Sequence, residues 1–246
     1  MNRKSILVTG SSIGLGAAII RKYASNNYDV VITYLSHEDE AIKLKEEVTS
    51  KYGVNALIVK CDISNEKDIE NLKNEILIKF GKLDVLVNNA SIAIDTTFED
   101  KTKDNFMRIL EINLVGTFLM SKCFGDIMEK EGHGNIINIS STNGIDTYYE
   151  YSLDYDSSKA GVINLSHNLA NHYNGKVRVN TVCPGWIDTP MNKELDSEYK
   201  KDEEEKIILG RFAHPDEIAN VVYFLSSDEA SYMNDSVIRI DGGKKC

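Results

Sequence analysis

The chain has 246 residues, 42% apolar and 27% charged, which suits a soluble globular protein with length enough to bury a sizeable core and little room for extended disorder. A net charge of −10 works against nucleic acid, membrane surfaces and acidic partners as default ligands. No apolar run reaches the ~18 residues of a membrane span.

The start, Met1-Asn2-Arg3-Lys4, leads straight into a strand rather than into the apolar region of a signal peptide. Cys61, Cys123, Cys183 and Cys246 are scattered without metal or disulfide spacing. A reducing, cytoplasmic setting and no metal site are therefore expected.

Apolar strand-like runs alternate with helical patterns along the whole chain, which predicts one α/β domain over 1–246 with no repeat or linker. Ser5 to Thr9 reads as the first strand, and Gly10, Gly14 and Gly16 follow where it turns into a helix. There Gly10 permits the turn, Gly14 lets the backbone approach a pyrophosphate, and Gly16 lets the helix pack on the strand. Three glycines after a strand can also be a plain turn, and the spacing G-x-x-x-G-x-G differs from G-x-G-x-x-G.

Asp29 to Tyr34 is the second strand. Its end, Tyr34-Leu35-Ser36-His37, offers no carboxylate for a ribose 2′-hydroxyl and no arginine for a 2′-phosphate. A helix over 38–52 and a strand over Ala56 to Lys60 lead to Cys61-Asp62-Ile63. Asp62 can accept from an adenine amino group or cap a helix, although Ser64 or Asn65 is better placed to cap the helix through Phe80.

Leu83 to Val87 is the fourth strand, running into Asn88-Asn89-Ala90-Ser91. One long helix is expected from Asp104 to Glu131, with Asn113 breaking its apolar stripe; that amide either sits at a helix break or holds a water or a lysine. Asn135 to Ser141 is the fifth strand, ending in two hydroxyls. Tyr155 opens a helix to about Tyr173, and a sixth strand, Arg178 to Cys183, precedes Pro184-Gly185-Trp186-Ile187-Asp188-Thr189. Pro190 to Leu209 is charged and polar, and is read either as a substrate lid or as a solvated helix face. A helix over Pro215 to Ser226 and a strand over Val237 to Ile240 close the chain.

Tyr155 and Lys159 lie four residues apart and share a helix face. An ammonium roughly 5 Å from a phenol, at an effective dielectric of about 20, favours the phenolate by ~3 kcal/mol, about two pKa units. The pair is thus expected to handle a proton near neutral pH. Alone, the same spacing also occurs on ordinary solvated helices.

Together these motifs resemble the short-chain dehydrogenase/reductases, including the 3-oxoacyl-[acyl-carrier-protein] reductases among them. Thr9-Gly10-Ser11-Ser12-Ile13-Gly14-Leu15-Gly16 is similar to the family's cofactor loop, and Asn88-Asn89-Ala90 to its sheet-stabilising motif. Asn113, Ser141, Tyr155 and Lys159 resemble its catalytic tetrad, and Pro184-Gly185 with Thr189, Gly210-Arg211-Phe212 and Asp241-Gly242-Gly243 its later signatures. Ser91 and Asp235 stand where the family usually has glycine.

The resemblance implies a single Rossmann-fold domain, a doubly wound parallel sheet of about seven strands with helices on both faces. It further implies hydride transfer between NAD(P)(H) and a carbonyl or secondary alcohol, with Tyr155 moving the proton, Ser141 bonding the substrate oxygen, Lys159 binding the ribose and Asn113 holding a water. The cofactor would lie against Gly10, Ser12, Ile13, Gly14, Gly16, Tyr34, Ser36, Asp62, Ile63, Asn88, Ala90, Tyr155, Lys159, Pro184, Gly185, Ile187 and Thr189. NADP(H) is favoured because the missing carboxylate removes repulsion while Ser36 and His37 can donate hydrogen bonds; NAD(H) stays open.

A homo-oligomer, a tetramer by resemblance, is expected through the helices near 104–131 and 154–173. Three tyrosines and three acids between Thr142 and Asp154 suggest a small polar or cyclic substrate rather than a carrier-bound acyl chain. The alternatives are a 3-oxoacyl-[acyl-carrier-protein] reductase and a catalytically silent dinucleotide binder, which would have no need to retain the Tyr-Lys pair.

Overall fold

The computed structural model describes residues 3–146, 149–192 and 195–245. Short runs rich in Val, Ile and Leu pair into one parallel sheet: β1 (Ser5–Val8), β2 (Asp29–Tyr34), β3 (Ala56–Lys60), β4 (Val85–Asn88), β5 (Gly134–Ile139), β6 (Val177–Pro184) and β7 (Val237–Ile240). Parallel neighbours cannot be joined by tight hairpins, so helical segments carry the crossovers. These are α1 (Gly14–Ser25), α2 (Glu38–Tyr52), α3 (Glu66–Phe80), α4 (Lys103–Leu110), α5 (Thr117–Glu131), α6 (Leu153–Tyr173), α7 (Ser197–Lys206) and α8 (Pro215–Ser226).

The strand order is β3-β2-β1-β4-β5-β6-β7. The chain winds outward one way from β1 and then the other, so a crevice opens between the carboxyl ends of β1 and β4. This is the doubly wound Rossmann arrangement expected from the sequence.

Alternation along each strand divides the core into two layers. Ile6, Val8, Val30, Ile32, Val85 and Val87 pack with α1, α2 and α8, whereas Leu7, Val31, Leu86 and Ile136 pack with α3, α5 and α6. Both faces are covered, as a parallel sheet requires.

Two expectations are revised. The long helix from Asp104 to Glu131 is interrupted: α4 passes into a π-helical segment, Glu111–Gly116, before α5. Asn113 lies in that widened turn and turns inward, where its side chain grips the Ile92 peptide from both sides, Oδ1 accepting from Ile92 N–H at 2.9 Å and Nδ2 donating to Ile92 O at 2.9 Å. Gly116 fits close against Ile63, where a Cβ would come within 2.8 Å of the Ile63 side chain. Helix α6 begins at Leu153, so Tyr155 stands inside its first turn rather than at its start.

Of the two positions lacking the usual glycine, Asp235 adopts a left-handed φ of 59°, and its carboxylate meets His167 Nδ1 at 2.5 Å. Ser91 is not among the described residues with positive φ, so its turn needs no glycine.

A chain of amides crosses the sheet interior. Asn88 Nδ2 donates to Asn138 Oδ1 and to Ser121 Oγ, both at 2.8 Å, and Asn138 Nδ2 donates to Ser166 Oγ at 2.8 Å, which ties β4 and β5 to α5 and α6. Asn138→Ala removes one hydrogen bond from the Asn88 amide, which keeps Ser121, and one from the Ser166 hydroxyl, which keeps Val162 O, in a dry interior. A loss on the order of 2–3 kcal/mol is expected, read as a lower urea midpoint at unchanged slope.

Candidate active site

The crevice is built first by the β1–α1 turn. Gly10 and Gly14 both take φ of +58°, a region that disfavours side chains, and a Cβ on Gly16 would lie 2.6 Å from Gly10 O and Ser11 Cα. Thr33 and Ser11 lock the turn to β2, with Gly10 N–H donating to Thr33 Oγ1 at 3.0 Å and Thr33 N–H to Ser11 Oγ at 3.1 Å. Ser12 is buried, and Ile13 is the N-cap of α1 without a side-chain hydrogen bond. The first turn of α1 holds no acid, unlike those of α2 and α3, so its N–H groups and positive end suit an anion. The Gly14 backbone faces Thr189 across the crevice, with a Cβ there coming within 3.7 Å.

On the β4 side, Thr9 Oγ1 accepts from Asn89 N–H and Ala90 N–H, each at 2.9 Å, and Asn89 Nδ2 returns bonds to Thr9 O at 2.9 Å and Gly10 O at 3.1 Å. Asn88 Nδ2 is spent on Ser121 and Asn138, while its Oδ1 is buried without a hydrogen-bond partner among the described residues.

Farther out, Asp62 Oδ1 accepts from Ser64 N–H at 2.9 Å and Ser64 Oγ at 2.6 Å. Burial raises this carboxyl, but the Ser64 bonds and Arg108 outweigh it and hold it below the usual range. Asn65, not Asp62, caps α3. Ile63 is buried beneath, Tyr34 is half-buried at the end of β2, and Ser36 Oγ lies 3.2 Å from His37 Nδ1.

The proton-handling residues meet where β5 ends against α6. Lys159 is buried, its ammonium 5.4 Å from the centre of the Tyr155 ring and donating to Ile139 O at 3.0 Å. Ser140 Oγ donates to Lys159 O at 2.7 Å, fixing α6 to the strand. Ser141 bonds the Tyr155 phenol, and its Oγ accepts from Asn143 N–H at 3.2 Å.

The expected lowering of the Tyr155 pKa is not found. Burial pushes the phenol up to about 12 against the pull of Ser141, and burial lowers the Lys159 ammonium to about 8. The reason is geometric: the ammonium stands over the ring and is bonded elsewhere, so desolvation wins over attraction. Tyr155 is accordingly a protonated phenol.

Asn113 does not bond Lys159. Besides Ile92, its Nδ2 donates to Ser158 Oγ at 3.1 Å, and Ser158 Oγ donates to Tyr155 O at 2.6 Å.

An aromatic cluster joins the segment before α6, helix α7 and the turn after β6. Tyr149 and Tyr199 lie 6.5 Å apart between ring centres, Tyr199 and Trp186 6.3 Å, and Trp186 stacks on Phe212 at 5.2 Å. Trp186 Nε1 donates to Glu203 Oε2 at 3.0 Å. Burial raises the Tyr149 and Tyr199 hydroxyls, with Asp95 and Glu203 adding to it. Two of the three acids expected to greet substrate hydroxyls are already engaged, Asp146 with Arg239 at 2.8 Å and Asp154 with Lys101 at 3.1 Å. Thr147 and Tyr148 of that segment lie outside the described residues.

Behind Thr189, the Ile187 carbonyl accepts from Thr189 N–H and Asn192 Nδ2, at 2.9 and 2.7 Å. Gly185 packs on Asp241, where a Cβ would come within 2.8 Å, and its N–H donates to Ile240 O at 2.9 Å beside Pro184. Sequence reasoning assigned no site role to Asn138, Ser158, Lys101 or Asp95, and named Thr9 only as part of the cofactor-loop stretch. Only the buried setting of Asn138, in an otherwise apolar strand, signalled anything in the sequence.

The sequence model of the family described as Enoyl-(Acyl carrier protein) reductase matches residues 10–245. The 3-oxoacyl-[acyl-carrier-protein] reductase FabG of Aquifex aeolicus is 41% identical over 241 residues, covering 98% of this chain and 96% of that protein. The NADP-dependent mannitol dehydrogenase of Hypocrea jecorina is 32% identical over 98% of this chain and 91% of its own. The crystal structure of levodione reductase superposes with a TM-score of 0.92 at 30% identity, covering 99% and 98% of the two chains.

The depressed Lys159 has a consequence for stability. Its folded value of about 8 lies below the ordinary 10.5, so the unfolded chain holds the proton more tightly and the folded state is penalised at neutral pH. That penalty is relieved as pH rises from about 8 to about 10.5. Lys159→Met is expected to be more stable than the parent at pH 7 by up to ~3 kcal/mol, less the lost bond to Ile139 O. Urea titrations at pH 7 and at pH ~10 should show that gap closing; a constant gap would contradict the burial effect.

Proposed function

Because this chain belongs to the short-chain dehydrogenase/reductase family and is an NAD(P)-dependent oxidoreductase, we propose that it interconverts a small polar or cyclic carbonyl compound and its secondary alcohol. The observation that carries the substrate class is the Tyr149-Tyr199-Trp186 wall with Asp95 and Glu203 beside it. Aromatic faces with polar tips suit a ring or a hydroxylated chain, and Asp95 adds negative charge against an anionic carrier, Glu203 being paired with Lys206 at 2.6 Å.

Tyr155, protonated, donates to the substrate oxygen in reduction and takes the proton back in oxidation, while Ser141 bonds the same oxygen. Lys159 stays close enough to steady the developing phenolate and to bond ribose hydroxyls. Asn113 holds Ile92 and Ser158, and through them the start of α6. Nicotinamide, when bound, supplies or accepts the hydride. The uncapped start of α1 with Gly10, Ser12, Ile13, Gly14 and Gly16 holds the pyrophosphate; Tyr34, Asp62, Ile63, Asn88 and Ala90 bound the adenosine; Pro184, Gly185, Ile187 and Thr189 hold the carboxamide end.

NADP(H) is the preferred cofactor, since Tyr34 to His37 offer no carboxylate against a 2′-phosphate, and one relative is named for NADP. Helix α7, none of whose described residues is buried, serves as the substrate lid at about 190–209. The chain works as a homo-oligomer, a tetramer, through α4, α5, the π-helical turn between them and α6, where Met107, Val115, Phe118 and Leu153 are exposed apolar residues. The setting is cytoplasmic; no helix among the described residues is long and apolar enough to cross a membrane.

The second reading, reduction of a 3-oxoacyl group on a carrier protein, is favoured by the 41% identity to FabG. The two separate in a kinetic comparison of free cyclic diketones and keto sugars with acetoacetyl-carrier protein, using NADPH and NADH at several salt concentrations. Small carbonyls are expected to give the higher kcat/KM, with NADPH ahead of NADH. Efficient, salt-sensitive turnover of the carrier-bound substrate would reverse the assignment.

Tyr155→Phe keeps the ring and loses only the proton donor. Turnover should fall by at least about 100-fold while the dissociation constant for NADPH stays within about twofold, as read by fluorescence titration.

A further inference from the structure

We infer that Lys101 and Asp154 form a positioning pair that pins the 92–101 loop to the start of α6, and so holds Tyr155 and the outer wall of the cleft in register. The inference rests on the oxidoreductase reading above and adds two residues that touch neither substrate nor cofactor.

The Lys101 side chain is 6% exposed and that of Asp154 is fully buried, an arrangement unlike the solvated ion pairs elsewhere on this surface. The ammonium donates to three acceptors on two stretches of chain: Ile94 O at 3.0 Å in the loop, and Tyr151 O at 3.2 Å and Asp154 Oδ1 at 3.1 Å where α6 begins. Asp154 Oδ1 also accepts the N–H of Tyr155 at 2.9 Å. One carboxylate oxygen thus fixes the backbone of the proton donor and the loop opposite it. Thr96 N–H adds a bond to Tyr151 O at 3.1 Å.

The pinned loop has little else to hold it. Residues 91–97 have no regular structure, and residues 97–100 are exposed. Asn113 secures the loop at Ile92, and Lys101 secures its far end. Asp95, which raises the Tyr149 and Tyr199 hydroxyls at the cleft wall, lies between the two anchors.

The pair also resists release. Asp154 Oδ2 and Thr96 Oγ1 are buried without hydrogen-bond partners among the described residues, so Lys101 is the principal stabiliser of that carboxylate. If the ammonium left, a buried charge would be stranded. Such a pair adds less to stability than its short distances suggest, but it sets geometry, since three acceptors around one nitrogen leave the loop few other positions.

The test is the double variant Lys101→Met/Asp154→Asn, which removes both charges while the asparagine Oδ1 can still accept from Tyr155 N–H. A displacement of about 1 Å at a reacting group can cost on the order of 100-fold. With the most reactive carbonyl compound of the panel above, kcat/KM should fall at least about tenfold, in kcat as well as KM, with NADPH affinity within about twofold. Hydrogen exchange should quicken at Thr96 and Tyr155 and stay unchanged in α1.

Parental kcat and KM in a folded double variant, or unchanged exchange at Thr96 and Tyr155, would overturn the inference. Should the double variant not fold, Asp154→Asn alone is read by the same two measurements. Should no panel compound be turned over even by the parent, the proposed substrate class fails, and the exchange measurement still decides the pin.

Discussion

The active crevice depends on a close approach of backbone to backbone at the end of β1. Gly16 comes so near Gly10 O, Ser11 Cα and Asn89 Nδ2 that a methyl group there would overlap all three, the first two at 2.6 Å and the third at 2.8 Å. That contact seats α1 on the sheet with its N–H groups open, and Thr9 Oγ1 holds the β4 turn against the same spot. Everything that can grip a dinucleotide follows from keeping those two turns together.

A parallel sheet covered on both faces offers its buried polar residues little water, so most of those it contains bond one another. Asn88, Asn138, Ser121 and Ser166 do this across the middle of the sheet, and Lys159 does it at the end of β5 by donating to Ile139 O. The same dryness sets the chemistry. It disfavours the phenolate of Tyr155 and the ammonium of Lys159 alike, which leaves the pair as a proton donor beside a cation that is reluctant to be charged.

Charge around these rings is divided by pairing rather than by sequence position. Asp146, ahead of α6, and Asp154, in its first turn, are paired with Arg239 and Lys101, and Glu203 with Lys206, while Asp95 adds to the rise of the Tyr149 and Tyr199 hydroxyls. Around Trp186 the aromatic rings therefore stand beside single acids, not a continuous acidic run. The likeness to FabG extends over nearly the whole chain, so the proposed substrate class rests on these side chains and not on the fold.

Local pattern alone made the strands, most helices and the ordered motifs legible, because alternation, glycine spacing and the Tyr155-Lys159 interval are properties of neighbours in sequence. The helix over Glu38–Tyr52 and the strands over Ala56–Lys60 and Val237–Ile240 follow from those patterns residue for residue. A break at Asn113 was one of the readings the sequence left open, but its π-helical form and its partner were not legible, since Ile92, 21 residues away, meets that side chain only in the folded chain. Nor was the direction of the Tyr155 pKa, because a four-residue spacing gives a separation but not the depth of burial or the carbonyl that claims the ammonium. The Lys101 to Asp154 contact spans 53 residues and joins two segments without a shared motif, so only the folded chain could bring those charges into one dry space.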